Sequence, residues 1–396
     1  MIGSRKCINL EDHRRRARRY LPAPLFHYIE GGADDEHTLV KNTAAYRRYD
    51  FEPNYLRDMR TIDTATTLFG RPIEMPLLLA PTGMTRLFHP GGELAAARAA
   101  EAAGVGYSLS TMATTSLEDI AGAVSGLKVF QLYLLTDDGL NRETIDRCKA
   151  AGYHALCLTV DTVVPGSRER DARTGMTVPP KLSLRSLVDF SLRPRWCLDY
   201  LLGEKFDLPN CRGRASGSGN LSSLAVLFAS IMDRNITWER AETLIRHWGG
   251  PFAIKGILSV EDALRAADIG ATAIVVSNHG GRQLDGAPAT IDRVADIADA
   301  VGDRLEIIAD GGIRRGSQIV KALAMGASAC MVGRPYLYGL ACGGQQGVTQ
   351  VLDALRRETE RTMGLIGCAE VAQIGRKHLR AADALPAFLR QPLSDS

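Results

Sequence analysis

The chain has 396 residues, of which 45% are hydrophobic and 23% charged, with a formal net charge of +3. This composition is typical of a folded globular protein, and so small a net charge gives no indication of nucleic-acid binding. The eight cysteines are irregularly spaced and form no Cys-x-x-Cys pair, which disfavours a metal site and favours reduced thiols in the cytoplasm. No stretch reaches the length of a transmembrane helix.

The first fifty residues indicate helices ahead of the main repeat. Residues 5–50 are predicted to be largely helical and to pack against the main body. Five arginines lie at 13–19, and no apolar core follows them as a secretory signal would require. We interpret these arginines as a solvated helix face, with attraction to anionic lipid headgroups as the alternative.

Short apolar runs recur after a hairpin-like stretch at 51–75, and amphipathic, often alanine-rich stretches separate them. Alternation of strand and helix, repeated to eight strands, predicts an α/β protein with the parallel (β/α)₈ fold, the TIM barrel. The eight runs begin at Leu77, Gly106, Val129, Ala155, Phe252, Ala273, Glu306 and Ala329.

The interval between the fourth and fifth runs is far longer than the others. It predicts a long insertion at 162–235 after the fourth strand, within a single domain of residues 1–396. Glycine and serine cluster at 213–219, a composition typical of a mobile loop. At 181–205, apolar and aromatic residues interleave with basic ones, which suits either a lipid interface or an amphipathic lid on the barrel mouth.

The sequence SNHGGRQLD, at 277–285, directly follows the sixth run. The imidazole of His279 can accept a proton near neutral pH. The guanidinium of Arg282 can bind a carboxylate through two parallel hydrogen bonds. A polar loop with a capping histidine is the structural alternative, but this pairing at a strand end favours proton abstraction from a carboxylate-bearing molecule.

Polar or turn-forming residues end every predicted strand, where barrel enzymes place their chemistry. The glycine-rich turns after strands seven and eight, with Arg314 and Arg334, suit a phosphate. Lys255 is either a Schiff-base nucleophile or a fixed positive charge, and the phosphate site favours the second, beside a phosphorylated cofactor. The strand-end residues are Pro81, Thr82, Gly83, Ser110, Gln131, Tyr133, Thr159, Asp161, Lys255, Ser277, Asp310, Gly311, Gly312, Arg314, Gly333 and Arg334.

With these residues the chain resembles the FMN-dependent α-hydroxy-acid oxidising enzymes over nearly its whole length, from Leu21 to Cys368. The stretches 165–171 and 238–258 are similar to the membrane-associated L-lactate dehydrogenase subgroup. The resemblance implies FMN, oxidation of an L-2-hydroxy acid (L-lactate to pyruvate above all), and electron transfer to a membrane quinone. It also implies a homotetramer bound peripherally to the cytoplasmic side of the cell membrane, with contact through the insertion.

Other functions stay open at this point. Within the family they are (S)-mandelate dehydrogenase and a soluble oxidase that produces hydrogen peroxide. A phosphate-ligand isomerase on the same barrel explains the glycines but not the histidine, aspartate and two arginines together. A non-catalytic membrane-binding protein would use only the basic insertion.

The resemblance also implies roles for individual residues. His279 would take the hydroxyl proton of the substrate, and Asp161 would stabilise the resulting imidazolium. Arg168 and Arg282 would hold the substrate carboxylate. The further substrate contacts would come from Tyr28, Tyr133 and Met112.

For the cofactor, Lys255 would lie near flavin N1 and stabilise the anionic reduced ring. Gly83 falls where several oxidases have alanine, which leaves reactivity with oxygen open, and Met112 replaces a bulky aromatic of some members, which leaves the substrate side chain open. The flavin would be lined by Pro81, Thr82, Gly83, Ser110, Gln131, Thr159 and Ser277. Its ribityl chain and phosphate would be bound by Asp310, Gly311, Gly312, Arg314, Gly333 and Arg334.

Overall fold

A computed structural model describes residues 7–176, 184–211 and 232–382. The predicted eight-stranded barrel is confirmed: the strands are parallel and the eighth pairs with the first to close the sheet. Seven strands begin at the predicted residue, and the third begins one residue earlier. The barrel strands are β1 (Leu77–Leu79), β2 (Gly106–Ser110), β3 (Lys128–Leu132), β4 (Ala155–Thr159), β5 (Phe252–Ile257), β6 (Ala273–Ser277), β7 (Glu306–Asp310) and β8 (Ala329–Val332).

Helices surround this barrel, so its strands are buried on both faces and consist of nearly continuous apolar runs. Helices also precede the barrel, as predicted for residues 5–50, and form part of the insertion. The N-terminal helices are Leu10–Tyr20, Ala23–Glu30 and His37–Ala44. The helices between and after the strands are Gly92–Ala102, Leu117–Ala123, Asp138–Ala150, Trp238–Trp248, Val260–Asp268, Ile291–Val301, Gly316–Ala324 and Arg334–Ile366. The insertion contributes Glu169–Thr174, Leu184–Ser191 and Pro194–Leu202.

Two small antiparallel pairs lie outside the barrel. Thr66–Leu68 pairs with Arg71–Ile73 in the hairpin expected within 51–75. Tyr49–Phe51 pairs with Leu379–Ala381 and joins the segment ahead of the barrel to the C-terminal end of the described chain.

The alternation of side chains along the strands explains where the polar residues lie. One cluster of inward-facing apolar side chains fills the barrel interior, including Val129, Cys157, Ala253, Val275 and Ile308. Side chains two residues apart on a strand share a face, so the next inward position of each strand lies nearer the carboxyl end. Those positions hold Gln131, Thr159, Lys255, Ser277 and Asp310. The upper layer of the barrel is therefore polar, which is the layer that faces a bound ligand.

The N-terminal helices dock on the loop that follows β6. The carboxylate of Asp285 accepts hydrogen bonds from the backbone N–H groups of His37 and Thr38, at 3.2 and 2.7 Å, and so caps the helix His37–Ala44. The amides of Asn42 and Asn278 exchange two hydrogen bonds of 2.8 and 2.7 Å. The predicted packing of this segment against the main body is thus confirmed for the described residues.

The described part of the insertion lies against the N-terminal helices and the loop that follows β1. The indole of Trp196 donates to the carbonyl of Leu87 at 2.9 Å, and the hydroxyl of Tyr20 donates to Asp199 at 2.6 Å. The glycine- and serine-rich stretch at 213–219 lies outside the described residues. Across the described ranges, no helix is long and apolar enough to cross a membrane.

Candidate active site

A cavity of about 480 Å³ opens at the carboxyl ends of the barrel strands. It brings together nearly all the residues that the sequence singled out, although they come from eight strands and from the N-terminal helices. The predicted residues that line it are Tyr28, Pro81, Thr82, Gly83, Ser110, Met112, Gln131, Tyr133, Thr159, Arg168, Lys255, His279, Arg282, Asp310, Gly311, Gly312, Arg314, Gly333 and Arg334. The two others, Asp161 and Ser277, lie behind this lining and bond to residues in it.

His279 forms a close pair with Asp161. Its Nδ1 lies 2.9 Å from Oδ1 of the carboxylate, which leaves Nε2 as the second nitrogen of the ring. Burial raises the pKa of Asp161, but the imidazole opposite it, together with Lys255, outweighs burial and lowers that pKa overall. Gly256 makes room for this carboxylate, since a Cβ there would lie 2.8 Å from the Cβ of Asp161.

The backbone of the histidine loop is unusual. His279 has φ +57°, and Gly280 and Gly281 have φ +64° and +74°, a region that non-glycine residues seldom occupy. A Cβ on Gly281 would lie 2.5 Å from the backbone nitrogen of Leu39. The docked N-terminal segment therefore fixes the turn that presents His279.

Lys255 belongs to a buried polar triangle. Its Nζ lies 3.0 Å from Oδ2 of Asp310 and donates to Oγ of Ser277 at 2.9 Å. The Ser277 hydroxyl donates in turn to Asp310 at 2.7 Å. Burial lowers the pKa of Lys255, but Asp310 and Asp161 outweigh it and raise the pKa overall. Lys255 is therefore a fixed positive charge in the floor of the cavity.

Two arginines lie over the ring of Tyr28. The Cζ atom of Arg282 is 5.0 Å from the ring centroid, and that of Arg168 is 5.2 Å away. Arg282 is anchored through Nη1, which donates to the carbonyls of Tyr28 and Gly31 at 2.7 and 3.0 Å. Burial, reinforced by Arg168, lowers the pKa of Arg282. Two neighbouring cations in this position favour an anionic ligand between them.

A second cationic group lies at the β7–β8 side of the cavity. Arg334 donates to the carbonyls of Ile29, Gly31 and Gly280, each at 2.9 Å. Burial, with Arg282 and Arg314 nearby, lowers the pKa of Arg334 to about 9. This crowding of positive charge is also relieved by an anion.

The wall near β1 and β2 joins Gly83 and Met112, the two positions at which the resemblance left the acceptor and the substrate side chain open. A Cβ on Gly83 would lie 2.6 Å from Cβ of Met112, and the backbone N–H of Met84 donates to the carbonyl of Met112 at 2.9 Å. Gly83 and Met112 therefore form one packed unit, and a side chain at position 83 requires a shift at position 112.

Sequence reasoning missed two residues that hold this site together. Gln283 donates to the carbonyls of Asp161 and Val164 at 2.9 and 3.0 Å. Glu93 is fully buried and accepts four hydrogen bonds from Thr85, Thr114 and Thr115. The only feature of the sequence that indicated Glu93 is its position, as a lone acidic residue at the start of an alanine-rich helix.

The comparisons with known proteins agree with this geometry. A family model described as FMN-dependent dehydrogenase matches residues 17–381. The chain belongs to the FMN-dependent dehydrogenase family. It is therefore an FMN enzyme of α-hydroxy-acid oxidation, as the resemblance predicted.

Individual members of the family are similar over almost their full length. The chain is 43% identical to an L-lactate oxidase of Nostoc sp., with 93% of this chain and 96% of the relative covered. It is 42% identical to an L-lactate dehydrogenase of Xanthomonas campestris, with 96% of this chain and 97% of the relative covered. The solved structure of the monotopic membrane protein (S)-mandelate dehydrogenase has a TM-score of 0.92 and is 36% identical, with 96% of this chain and 100% of that chain covered. The solved structure of mandelate oxidase has a TM-score of 0.81 and is 39% identical, with 95% of this chain and 99% of that chain covered.

The residues of the cavity fit FMN, the cofactor of this family. Nε2 of Gln131 and Oγ1 of Thr159 are buried and, among the described residues, have no hydrogen-bond partner. Leaving such a group without a partner costs about 1–3 kcal/mol, and the heteroatoms of a flavin ring can supply partners. The crowded guanidinium groups of Arg314 and Arg334 suit the FMN phosphate.

Proposed function

We propose that this enzyme oxidises an L-2-hydroxy acid to the 2-keto acid, with L-lactate as its main substrate and His279 as the catalytic base. The observation that carries this proposal is the pair of His279 and Asp161, at 2.9 Å, in a cavity with two arginines. Such a set combines a proton acceptor with ligands for a carboxylate.

Arg168 and Arg282 bind the substrate carboxylate in this proposal. Nη1 of Arg282 is occupied by two backbone carbonyls, so its Nη2 and Nε groups are the donors left for a ligand. Tyr28 supports both guanidinium groups with its ring face. Tyr133, whose pKa is raised by burial and by Asp161, remains protonated and can donate to the reacting oxygen.

His279 accepts the hydroxyl proton through Nε2, because Nδ1 faces Asp161. Asp161 remains ionised because its pKa is lowered, and its charge stabilises the imidazolium that forms. When bound, FMN would supply the acceptor for the hydrogen and the two electrons that leave Cα. Lys255 places a permanent positive charge at the cofactor, which favours the reduced, more negative state.

The role of Lys255 can be tested through the flavin midpoint potential. Lys255→Met removes the fixed charge, so the potential of the bound flavin falls relative to that of the parent enzyme. A potential that is unchanged or higher contradicts the proposed role.

Contact with the membrane surface is the second part of the proposal, with a membrane quinone as the electron acceptor. Three leucines of the helix Pro194–Leu202 are exposed, Leu201 by 76% and Leu202 by 85%, although Trp196 anchors the same helix to the body. Exposed leucines beside basic residues suit an interfacial helix. The relative named as a monotopic membrane protein supports this assignment.

Replacing Leu198, Leu201 and Leu202 with glutamine tests the membrane contact. The triple variant moves from the membrane fraction to the soluble fraction, while activity with a soluble dye acceptor is retained. Leu365→Gln is the control, since Leu365 is also exposed, by 65%, at the end of another helix. Parent protein that does not bind vesicles of anionic lipid contradicts the contact.

Two further assignments follow the family. A homotetramer on the cytoplasmic side of the membrane is expected, and light scattering that gives a monomer contradicts the tetramer.

Mandelate oxidation and peroxide formation are the competing activities, supported by the mandelate enzymes and the L-lactate oxidase among the similar proteins. Steady-state rates with L-lactate and (S)-mandelate, with and without oxygen, separate these activities.

A further inference from the structure

A buried carboxylate lies beside the substrate arginines without a part in the chemistry described so far. Asp171 belongs to the short helix Glu169–Thr174, and only 4% of the residue is exposed. Its Oδ2 lies 3.0 Å from Nε of Arg168. Within the described ranges, neither carboxylate oxygen accepts a hydrogen bond of ordinary geometry. The guanidinium is therefore the main compensation for burying this charge.

The charges around Asp171 agree with this interpretation. Burial raises the pKa of Asp171, while Arg168 and Arg282 oppose that rise. Burial lowers the pKa of Arg168, but Tyr28 and Asp171 outweigh it and raise the pKa overall. Both arginines thus interact electrostatically with a carboxylate that is not part of the cavity lining.

The position of Asp171 also determines which N–H donors of the Arg168 guanidinium are available to a ligand. Because Asp171 approaches Nε, the terminal nitrogens of the guanidinium are left for Tyr28, which also hydrogen-bonds to Arg168, and for a ligand. The backbone beneath is fixed separately, since Asp171 and Ala172 donate to the carbonyl of Arg168 at 3.1 and 3.2 Å. The side chain of Arg168, in contrast, is positioned by Tyr28 and Asp171.

We propose that Asp171 is a positioning residue for substrate binding: it holds Nε of Arg168 so that the terminal side of the guanidinium points to the carboxylate of the 2-hydroxy acid. This inference rests on the proposed role of Arg168 as a carboxylate ligand. A fixed guanidinium loses less conformational freedom when the substrate binds, which improves affinity without changing the chemical step.

The competing effect of Asp171 has the opposite sign. Its negative charge also repels the substrate carboxylate, so a residue that acted only through charge would weaken binding. Removal of such a residue would tighten binding, whereas removal of a positioning residue loosens it. The direction of the change in affinity therefore separates the two effects.

The test uses the FMN-loaded full chain with Asp171→Ala, Asp171→Asn and, as the matched control, Glu169→Gln. Glu169 lies on the same short helix but pairs with Arg173 on the exposed side. Oxalate is the probe, because it carries carboxylates and is not oxidised by loss of a Cα hydrogen. Its Kd is measured from the change in flavin absorption, and KM and kcat are measured with L-lactate and a dye acceptor.

In Asp171→Ala, we expect the Kd of oxalate and the KM of L-lactate to rise about tenfold, the order of the cost of immobilising one long side chain when a ligand binds. The change in kcat stays within about threefold, since a loss of uniform binding affects KM alone. Asp171→Asn removes the charge but keeps an oxygen of the same size beside Nε, so its Kd rises only about threefold. Glu169→Gln leaves both constants unchanged.

Oxalate binding that is unchanged or tighter in Asp171→Ala overturns the inference. If that variant does not retain FMN, unchanged or tighter binding in Asp171→Asn overturns it equally. Arg168→Met separates this result from the proposed function. Unchanged oxalate binding in Arg168→Met refutes the role of Arg168 itself, whereas weakened binding there with normal binding in Asp171→Ala refutes only the role of Asp171.

Discussion

The histidine loop at 277–285 and the insertion segment at 165–171 each bring one arginine to the ring of Tyr28, but they are held in different ways. Backbone geometry fixes the loop, with three consecutive positive φ angles and a glycine packed on the backbone of Leu39, in addition to the side-chain bonds of Asn278 and Asp285. The segment has no positive φ. It is held by the Glu36–Arg170 pair, Arg168–Asp171, Gln283 and one backbone bond from Asp34 to Ser167. The comparison teaches that the rigid loop carries the base and one ligand of the substrate carboxylate, whereas the second ligand, Arg168, lies on a segment that can adjust.

The largest expected effect concerns the base on the rigid loop. His279→Gln retains FMN but reduces turnover by about 10²–10⁴-fold, the usual contribution of general-base catalysis. Steady-state rates at saturating L-lactate, with FMN content measured in the same preparation, check this expectation. Rates close to those of the parent enzyme would remove His279 from the mechanism.

The next effect tests whether backbone geometry holds the loop. Gly281→Ala combines φ +74° with a contact of 2.5 Å to the nitrogen of Leu39. Strain of this kind costs about 1–3 kcal/mol, so the midpoint of thermal unfolding falls and FMN binding weakens. Gly70→Ala is the control, because Gly70 has φ +69° with open space around its Cβ position. If the midpoint of thermal unfolding falls equally in both variants, the positive φ alone explains the loss, and the contact with the backbone of Leu39 does not contribute to it.

A smaller effect is expected on the insertion segment. A Cβ on Gly166 would lie 2.3 Å from the carbonyl oxygen of Arg282, and Gly166 does not need a positive φ. The segment can shift to relieve this contact, so Gly166→Ala raises the KM of L-lactate severalfold, within about tenfold, because Arg168 moves with it. Stability changes less than in Gly281→Ala. If Gly166→Ala lowers kcat and leaves KM unchanged, the division between the two regions is wrong.

Much of the fold could be predicted from the sequence because local patterns determine it. The eight strands are short apolar runs that helices cover on the outside, and seven of them begin at the predicted residue. The histidine loop could also be found, since a proton acceptor, an arginine and two glycines lie within nine consecutive residues.

The contacts that hold the site could not be predicted, because they join residues far apart in the chain. Asn42 and Asn278 are 236 residues apart, and the contact between Gly83 and Met112 depends on how two loops cross. Asp171 is one of many acidic residues in the sequence, and only its burial next to Arg168 sets it apart.

The central claim, that His279 takes a proton from a 2-hydroxy acid held by Arg168 and Arg282, is tested most directly by anaerobic reduction of the bound flavin. In a stopped-flow experiment without an electron acceptor, L-lactate should bleach the flavin of the parent enzyme. His279→Gln with the same FMN content should bleach about 10²–10⁴-fold more slowly. Equal rates in the two proteins, or a parent flavin that neither L-lactate nor another L-2-hydroxy acid reduces, would contradict the account.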